Sequence, residues 1–115
     1  MVHSEEVGRA TREYETGITV SRVPGGLTQE IRIVLEQTIP NTGDTTDPQP
    51  ARQWIKDSLD GKALNTVLDT PPSMEYLARH IHRHCRDLLP TLSAVRVSPE
   101  DEEGLWVIYR PQDCA

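Results

Sequence analysis

Carboxylates and a few basic and aromatic side chains are the groups of this 115-residue chain that could do chemistry on a small molecule. Asp60, Glu75 and Glu100 are candidate catalytic residues, because a carboxylate can transfer a proton or accept two parallel N–H groups from a ligand. Candidate substrate-binding residues lie close to them in the sequence: Lys62, Trp106, Tyr109 and Arg110. Trp106 and Tyr109 offer flat rings for stacking, although such a pair can equally belong to a sheet core.

The histidines do not predict a metal site. His80 and His84 are four residues apart and share one face of a predicted helix, while His82 falls on another face. A pair of this kind with no acid nearby binds metal weakly, so we expect a solvated face, no metal and no other cofactor. Cys85 lies on the apolar side of the same helix, where a small buried hydrophobe is expected.

Composition excludes several classes of protein. The formal net charge is −6 and the basic residues are scattered, which argues against a nucleic-acid partner. No apolar run reaches the roughly 20 residues of a membrane span, and the polar N-terminus lacks a signal-peptide core, so we expect a cytoplasmic protein. The small size and the absence of Phe limit the core, which favours self-association into a homo-oligomer.

Hydrophobic patterning predicts four strands and two helices in the order ββααββ. A flexible tail at residues 1–11 precedes a single domain at 12–112. Residues 12–22 and 27–38 alternate as a hairpin around the turn at 23–26. A helix over 51–59, ended by Asp60 and Gly61, follows a loop in which Asp47 or Gln49 is a candidate cap.

A second and stronger helix begins after Ser73 and runs until Pro90. The spacing of three or four residues between apolar positions predicts one continuous apolar stripe along this helix, formed by Met74, Leu77, Ala78, Ile81, Cys85 and Leu88. Strands over 92–98 and 104–110 follow, joined by an acidic turn. The prediction is an α+β fold, a four-stranded antiparallel sheet with two helices on one face.

Three short blocks resemble the 6-pyruvoyl- and 6-carboxy-tetrahydropterin synthases, a family with the tunnelling fold. They are L-D-G-K-A-L-N at 59–65, P-S-M-E-Y-L-A at 72–78 and L-S-A-V-R-V at 92–97. The resemblance implies the ββααββ subunit and oligomeric rings with a heteroaromatic pocket at each subunit contact. It also implies a proton-relay role for Asp60 and, if the strand end shifts by one residue, a ligand-anchoring role for Glu100.

The N-terminal half departs from the family where the family's chemistry lies. Its zinc-binding His at the end of the first strand is replaced by Ser21, and its His-Gly-His by Gly25, Gly26 and Leu27. The loop that carries its nucleophilic Cys has collapsed to a turn, and Gly61 replaces the His beside the relay Asp. Zinc chemistry and pterin-synthase activity are therefore not expected.

Two kinds of function remain. One is a metal-independent acid–base enzyme on the same scaffold, a lyase or cyclase of specialised biosynthesis acting on a small heteroaromatic or amine/aldehyde substrate. A Pictet–Spengler condensation is an example chosen on chemical grounds. The alternative is a non-catalytic member, either a small-molecule binder or a scaffolding subunit of an oligomer. A member resembling the dihydroneopterin aldolases of the same fold fits the short hairpin but matches the 59–65 and 72–78 blocks less well.

Overall fold

The computed structural model describes residues 10–39, 46–68, 72–102 and 104–111. Most of the predicted tail and half of the predicted loop before the first helix lie outside these ranges. The described residues form the predicted α+β subunit, with the four strands in one antiparallel sheet of order β1-β2-β3-β4. The predicted fold class is confirmed.

The first two strands form a long hairpin. β1 (Ala10–Ser21) and β2 (Thr28–Ile39) pair over twelve residues each, from Ala10 opposite Ile39 to Ser21 opposite Thr28. Gly25 turns the chain with a positive φ of 76°, a conformation that glycine adopts without strain. β1 begins two residues earlier than the sequence pattern predicted.

Helix α1 (Gln49–Leu59) and the single turn α2 (Leu64–Val67) follow. The Asp47 carboxylate accepts the Gln49 N–H at 3.0 Å, while Pro48 occupies the cap position of α1. Asp60 and Gly61 end α1 as predicted, with Gly61 at a φ of 79°. The turn α2 lies in a segment that the sequence suggested was only a linker.

Helix α3 (Met74–Cys85) is capped as predicted, because the Ser73 hydroxyl accepts the Tyr76 N–H at 3.1 Å. It is shorter than its apolar stripe suggested and ends five residues before Pro90. The prediction that Leu88 continues the stripe is wrong: its side chain is 37% exposed, and Leu89 in the following turn is buried instead. The chain leaves helical geometry after Cys85, so the helical spacing no longer applies there.

Strands β3 (Leu92–Pro99) and β4 (Val107–Tyr109) complete the sheet. β4 is shorter than predicted, because residues 104–106, which follow the turn, do not pair with β3. The helices cover one face of the sheet and enclose the core with it. Its largest fully buried apolar side chains are Ile31, Ile33, Leu35, Ile55, Leu59, Leu64, Leu77, Ile81 and Leu89. No helix in the described ranges has the length and apolarity needed to cross a membrane.

The opposite face of the sheet is covered by long polar side chains and one aromatic ring. The guanidinium groups of Arg32 and Arg96 lie 5.1 and 5.7 Å from the centre of the Trp106 ring. Arg96 also forms an ion pair with Glu13 of β1. This layer buries the small residues beneath it, including Ala94 and Ser98.

The outer edge of β1 is covered by α1 and the segment that follows it. Arg52 donates to the Glu15 carbonyl at 3.1 Å, and Lys56 donates to the Gly17 carbonyl at 2.9 Å. Further along, the Gly61 N–H donates to the Thr19 carbonyl at 2.7 Å. Free edge groups of a strand invite pairing with another chain, and here the protein's own residues occupy them from Glu15 onward.

Candidate functional site

Asp60 and Glu100 line one cleft, although 40 positions separate them in the sequence. The cleft, called the acidic cleft below, has a volume of about 270 Å³ and is also lined by Thr19, Glu30 and Lys56. Asp60 is the residue at which α1 ends, and one of its carboxylate oxygens accepts the Thr19 N–H at 2.8 Å. This hydrogen bond holds the Asp60 side chain against β1.

Glu100 reaches the same cleft from the end of β3. Its backbone N–H donates to the Glu30 carbonyl at 2.9 Å, which extends the β2–β3 pairing by one residue and brings the two glutamates together. A neighbouring hollow of about 330 Å³ shares both glutamates and adds Asp101, which accepts a hydrogen bond from Gln29 at 3.1 Å. Glu100 itself is exposed and open to a ligand.

The charge of the acidic cleft is negative. It is lined by three carboxylates, from Glu30, Asp60 and Glu100, and by one ammonium group, from Lys56. The Lys56 ammonium is engaged with the Gly17 carbonyl. Such a cleft suits a ligand with N–H groups or a positive charge, because a carboxylate forms its strongest hydrogen bonds with charged donors.

Glu75, Trp106 and Tyr109 line a different cleft, at the edge of β4. This β4 cleft has a volume of about 500 Å³ and also includes Tyr76 and Arg79. Its two predicted stacking rings lie on opposite faces of the sheet. Trp106 contacts arginines of the open face, whereas Tyr109 packs edge-on against His82 of α3 at 5.4 Å. They do not form two walls of one slot.

The two predicted basic residues lie elsewhere. Lys62 is exposed, and its backbone carbonyl accepts the Ser21 N–H at 3.1 Å, so its main chain supports the edge of β1. Arg110 forms an ion pair with Glu36 at 2.7 Å and lines a third cleft beside His82. The seven predicted site residues are thus divided among three clefts and an exposed loop, and only Asp60 and Glu100 share the acidic cleft.

The positions that replace the family's zinc ligands do not fit a zinc ion. The Ser21 hydroxyl donates to the Val23 carbonyl at 2.9 Å, and the Leu27 side chain is 94% exposed. Zinc sites in proteins are built from His, Cys or carboxylate donors, and this turn has none between Ser21 and Leu27. The described residues contain no group of three such side chains that could hold a metal ion.

The histidines of α3 occupy three different environments. His84 is exposed and stacks on Trp54 of α1, with ring centres 5.0 Å apart, and His80 lies 4.5 Å from His84. His82, however, is buried, with only 7% of its surface exposed. The expectation of a solvated histidine face did not anticipate this. The spacing in the sequence could have predicted the burial of His82, because it lies four positions after Ala78 and three before Cys85, which are both on the buried side of the helix.

Burial changes the ionisation of two side chains in α3. It lowers the pKa of His82; a hydrogen bond with the backbone of Leu92 opposes this effect, and the positive charge of Arg86 adds to it. Burial also raises the pKa of the Cys85 thiol to about 12, so this cysteine is an inert part of the core. The predicted buried role of Cys85 is confirmed.

A four-stranded antiparallel sheet with its helices on one face, and a carboxylate-lined cleft at one end, define a tunnelling-fold subunit. The sequence model of the 6-pyruvoyl tetrahydropterin synthase family matches residues 26–112, and the chain belongs to that family. The resemblance read from the three sequence blocks is confirmed, and the match extends back through β2. Members of the family are lyases and generally form oligomers. No curated protein matches the sequence.

Proposed function

We propose that the protein is an acid–base lyase or cyclase on the pterin-synthase scaffold, and that it acts without a metal in the acidic cleft. The observation that carries the proposal is the meeting of Asp60 and Glu100 in one cleft. The donor set at the hairpin turn, which does not fit zinc, supports metal independence. The substrate class is a small amine, or a heteroaromatic with N–H groups, together with an aldehyde.

The proposed chemistry is a condensation that general acid–base catalysis alone can promote. Glu100 anchors the amine through N–H···O hydrogen bonds. The amine nitrogen attacks the aldehyde carbon, and a carboxylate of the cleft moves the proton that the nitrogen releases to the carbonyl oxygen, which gives the carbinolamine. The remaining proton of the nitrogen passes through Asp60 to the carbinolamine hydroxyl, which leaves as water and gives an imine. In the Pictet–Spengler form of the reaction, a ring carbon then attacks the imine carbon, and a carboxylate passes the ring proton to the imine nitrogen.

The role of Asp60 is tested by two substitutions that separate chemistry from folding. Asp60→Asn keeps an oxygen that accepts the Thr19 N–H but cannot transfer the proton, whereas Asp60→Ala also loses the hydrogen bond. We expect Asp60→Asn to lower the rate of amine–aldehyde condensation by about 10²–10⁴-fold while the thermal midpoint stays near that of the wild type. Product formation from a panel of arylethylamines and aldehydes, followed by mass spectrometry, measures the rate.

Asp57→Asn is the control, because Asp57 is an exposed carboxylate of the same helix that is engaged with Gln53 outside the acidic cleft. This variant should retain the wild-type rate. Glu100→Gln should lose activity mainly through weaker amine binding, seen as a higher KM. Equal rates for Asp60→Asn, Glu100→Gln and the wild type would contradict the proposal.

One observation favours the non-catalytic alternative. The Thr19 hydrogen bond gives Asp60 a structural task at the end of α1, so its presence does not require catalysis. In that case the acidic cleft would bind a cationic small molecule without turning it over, or the chain would support an active relative within an oligomer. Ligand binding that is abolished by Glu100→Gln, with no product from any pair in the panel, would favour this reading.

We also propose that the protein is a homo-oligomer. The sheet has two outer strands, and the two are protected differently. β1 is covered by α1 from Glu15 onward, while β4 has no neighbour on its outer side among the described strands. Leu105, just before β4, and Ile108, within β4, are both about half exposed. An exposed apolar edge of this kind is a ready surface for a second copy.

A further inference from the structure

A third cleft lies at the other end of the sheet from the acidic cleft. The His82 cleft, as it is called here, has a volume of about 460 Å³ and is lined by His82, Arg86, Leu92, Ser93 and Arg110. It opens beside the first residues of β3, whereas Glu100 follows the last residue of that strand. Eight residues at about 3.3 Å each separate the two places by roughly 25 Å, so the clefts are distinct.

The charges that line the His82 cleft are positive. Arg86 and Arg110 each contribute a guanidinium group, and no carboxylate of the described residues is part of the lining. Arg110 is paired with Glu36 through one of its terminal nitrogens. Arg86 is exposed and forms no ion pair with any described residue, so one positive charge beside the cleft is unbalanced. An anion placed between the two guanidiniums would balance it.

His82 adds a neutral acceptor to this positive lining. Its lowered pKa keeps the ring uncharged near pH 7, and a neutral imidazole has one N–H donor and one acceptor nitrogen. The backbone of Leu92 takes one hydrogen bond from the ring. Nε2 is buried and has no hydrogen-bond partner among the described residues, which is rare for a buried polar atom. A ligand with a donor group would satisfy it.

We propose that the His82 cleft binds a protonated phosphate group, with the anionic oxygens between Arg86 and Arg110 and the P–O–H group donating to Nε2 of His82. Two cations and a neutral acceptor together suit an oxyanion that still carries a proton. Monohydrogen phosphate has this form near neutral pH, whereas sulfate and carboxylates do not. The ligand is inorganic phosphate, because a phosphomonoester is largely a dianion near neutral pH and then carries no P–O–H group.

The test is a titration of the full chain with inorganic phosphate at pH 7, followed by NMR through the ring signals of His82. We expect a saturable shift of those signals. Arg86→Gln and Arg110→Gln should each weaken binding by about tenfold or more, because each removes a charged hydrogen bond. Sulfate, which has the same charge without the proton, should bind about tenfold more weakly. A parallel titration with methyl phosphate, most of which has no P–O–H group at pH 7, should show weaker binding than inorganic phosphate, and equal or tighter binding would overturn the role proposed for His82.

Arg83→Gln is the matched control, since Arg83 is an exposed arginine three residues before Arg86 that does not line the cleft. It should change phosphate affinity by less than about twofold. Equal weakening by Arg83→Gln and Arg86→Gln, together with equal affinity for sulfate and phosphate, would mean general charge attraction and would overturn the proposal. Saturable binding that leaves the His82 signals unmoved would overturn it as well. Arg86 and Arg83 are exposed, so these variants test binding without a risk to folding.

Discussion

Gln37 of β2 is a fully buried polar residue whose side chain makes three hydrogen bonds. Its amide oxygen accepts the Tyr14 hydroxyl at 2.8 Å, and its amide nitrogen donates to the Thr91 hydroxyl at 2.9 Å and to the Thr46 carbonyl at 3.1 Å. One side chain thus connects β1, the segment before α1 and the turn before β3. A buried polar group stabilises a fold only while its partners are satisfied.

Replacing Gln37 by Leu, which has a similar size, should lower the free energy of unfolding by about 1–3 kcal/mol. The substitution removes three hydrogen bonds and leaves the half-buried Tyr14 and Thr91 side chains without this partner. Tyr14→Phe removes only one of these hydrogen bonds and should cost about 0.5–1.5 kcal/mol. Urea unfolding monitored by tryptophan fluorescence measures both values. A Gln37→Leu protein as stable as Tyr14→Phe would show that the other two hydrogen bonds contribute nothing.

At the scale of elements, His82 is a contact between α3 and the sheet, and its burial favours the neutral form of the ring. His82 packs against Tyr109 of β4 and bonds to the backbone of Leu92 in β3. Its pKa in the folded chain lies below the ordinary value, so the unfolded chain binds the proton more readily. The contribution of this histidine to stability is therefore present above the ordinary histidine pKa and is lost as the pH falls toward the folded value.

We expect acidification from pH 7.5 to pH 5 to destabilise the wild type more than a His82→Gln variant. Glutamine does not titrate, so the His82→Gln variant lacks this part of the pH dependence. This holds even if the substitution also changes the free energy of unfolding at pH 7.5. His84→Gln is the control, because His84 is exposed and stacked on Trp54, and it should keep the wild-type slope. Unfolding free energies at several pH values give the slopes. Identical slopes for wild type and His82→Gln would refute the assignment.

The elements themselves were largely predictable from local signals. The hairpin alternation, the Ser73 cap of α3 and the stop at Asp60 and Gly61 all depend on residues close in sequence, and the structure confirms them. The errors arose where distant contacts decide the outcome. Leu88 fell outside the core because α3 ends early, and His82 is buried because β3 and β4 cover its face of the helix.

The candidate site was predictable only in part, for the same reason. Asp60 and Glu100 share a cleft because α1 and β3 end at the same end of the sheet. This is a consequence of topology, and only the family resemblance, not a local pattern, pointed to the two residues together. Trp106 and Tyr109 line the β4 cleft from opposite faces of the sheet, because successive residues of an extended chain point to opposite faces and these two are three positions apart. Glu30 and Lys56 were missed, since a charged residue on a strand or helix surface carries no local sign that it lines a cleft.

At the scale of the whole molecule, the open edge of β4 is where a second copy is expected to bind. We expect Ile108→Lys, at a side chain that is 53% exposed, to convert the proposed homo-oligomer into folded monomers, because the substitution places a charge in an apolar contact. Leu27→Lys is the control: Leu27 is 94% exposed in the hairpin turn, and its variant should keep the wild-type mass. Native mass spectrometry and light scattering report the subunit number. A wild-type protein that is monomeric at high concentration would contradict the assembly proposal.

The covering of β1 by α1 also bears on the order in which the chain can fold. The side chains that occupy the edge of β1 come from residues 36 to 41 positions later in the sequence. A hairpin of β1 and β2 can form from neighbouring residues alone, but its edge then stays open until α1 has been made and has docked. During synthesis the nascent hairpin would present that edge to other chains until α1 docks, and in this interval the edge is open to mispairing.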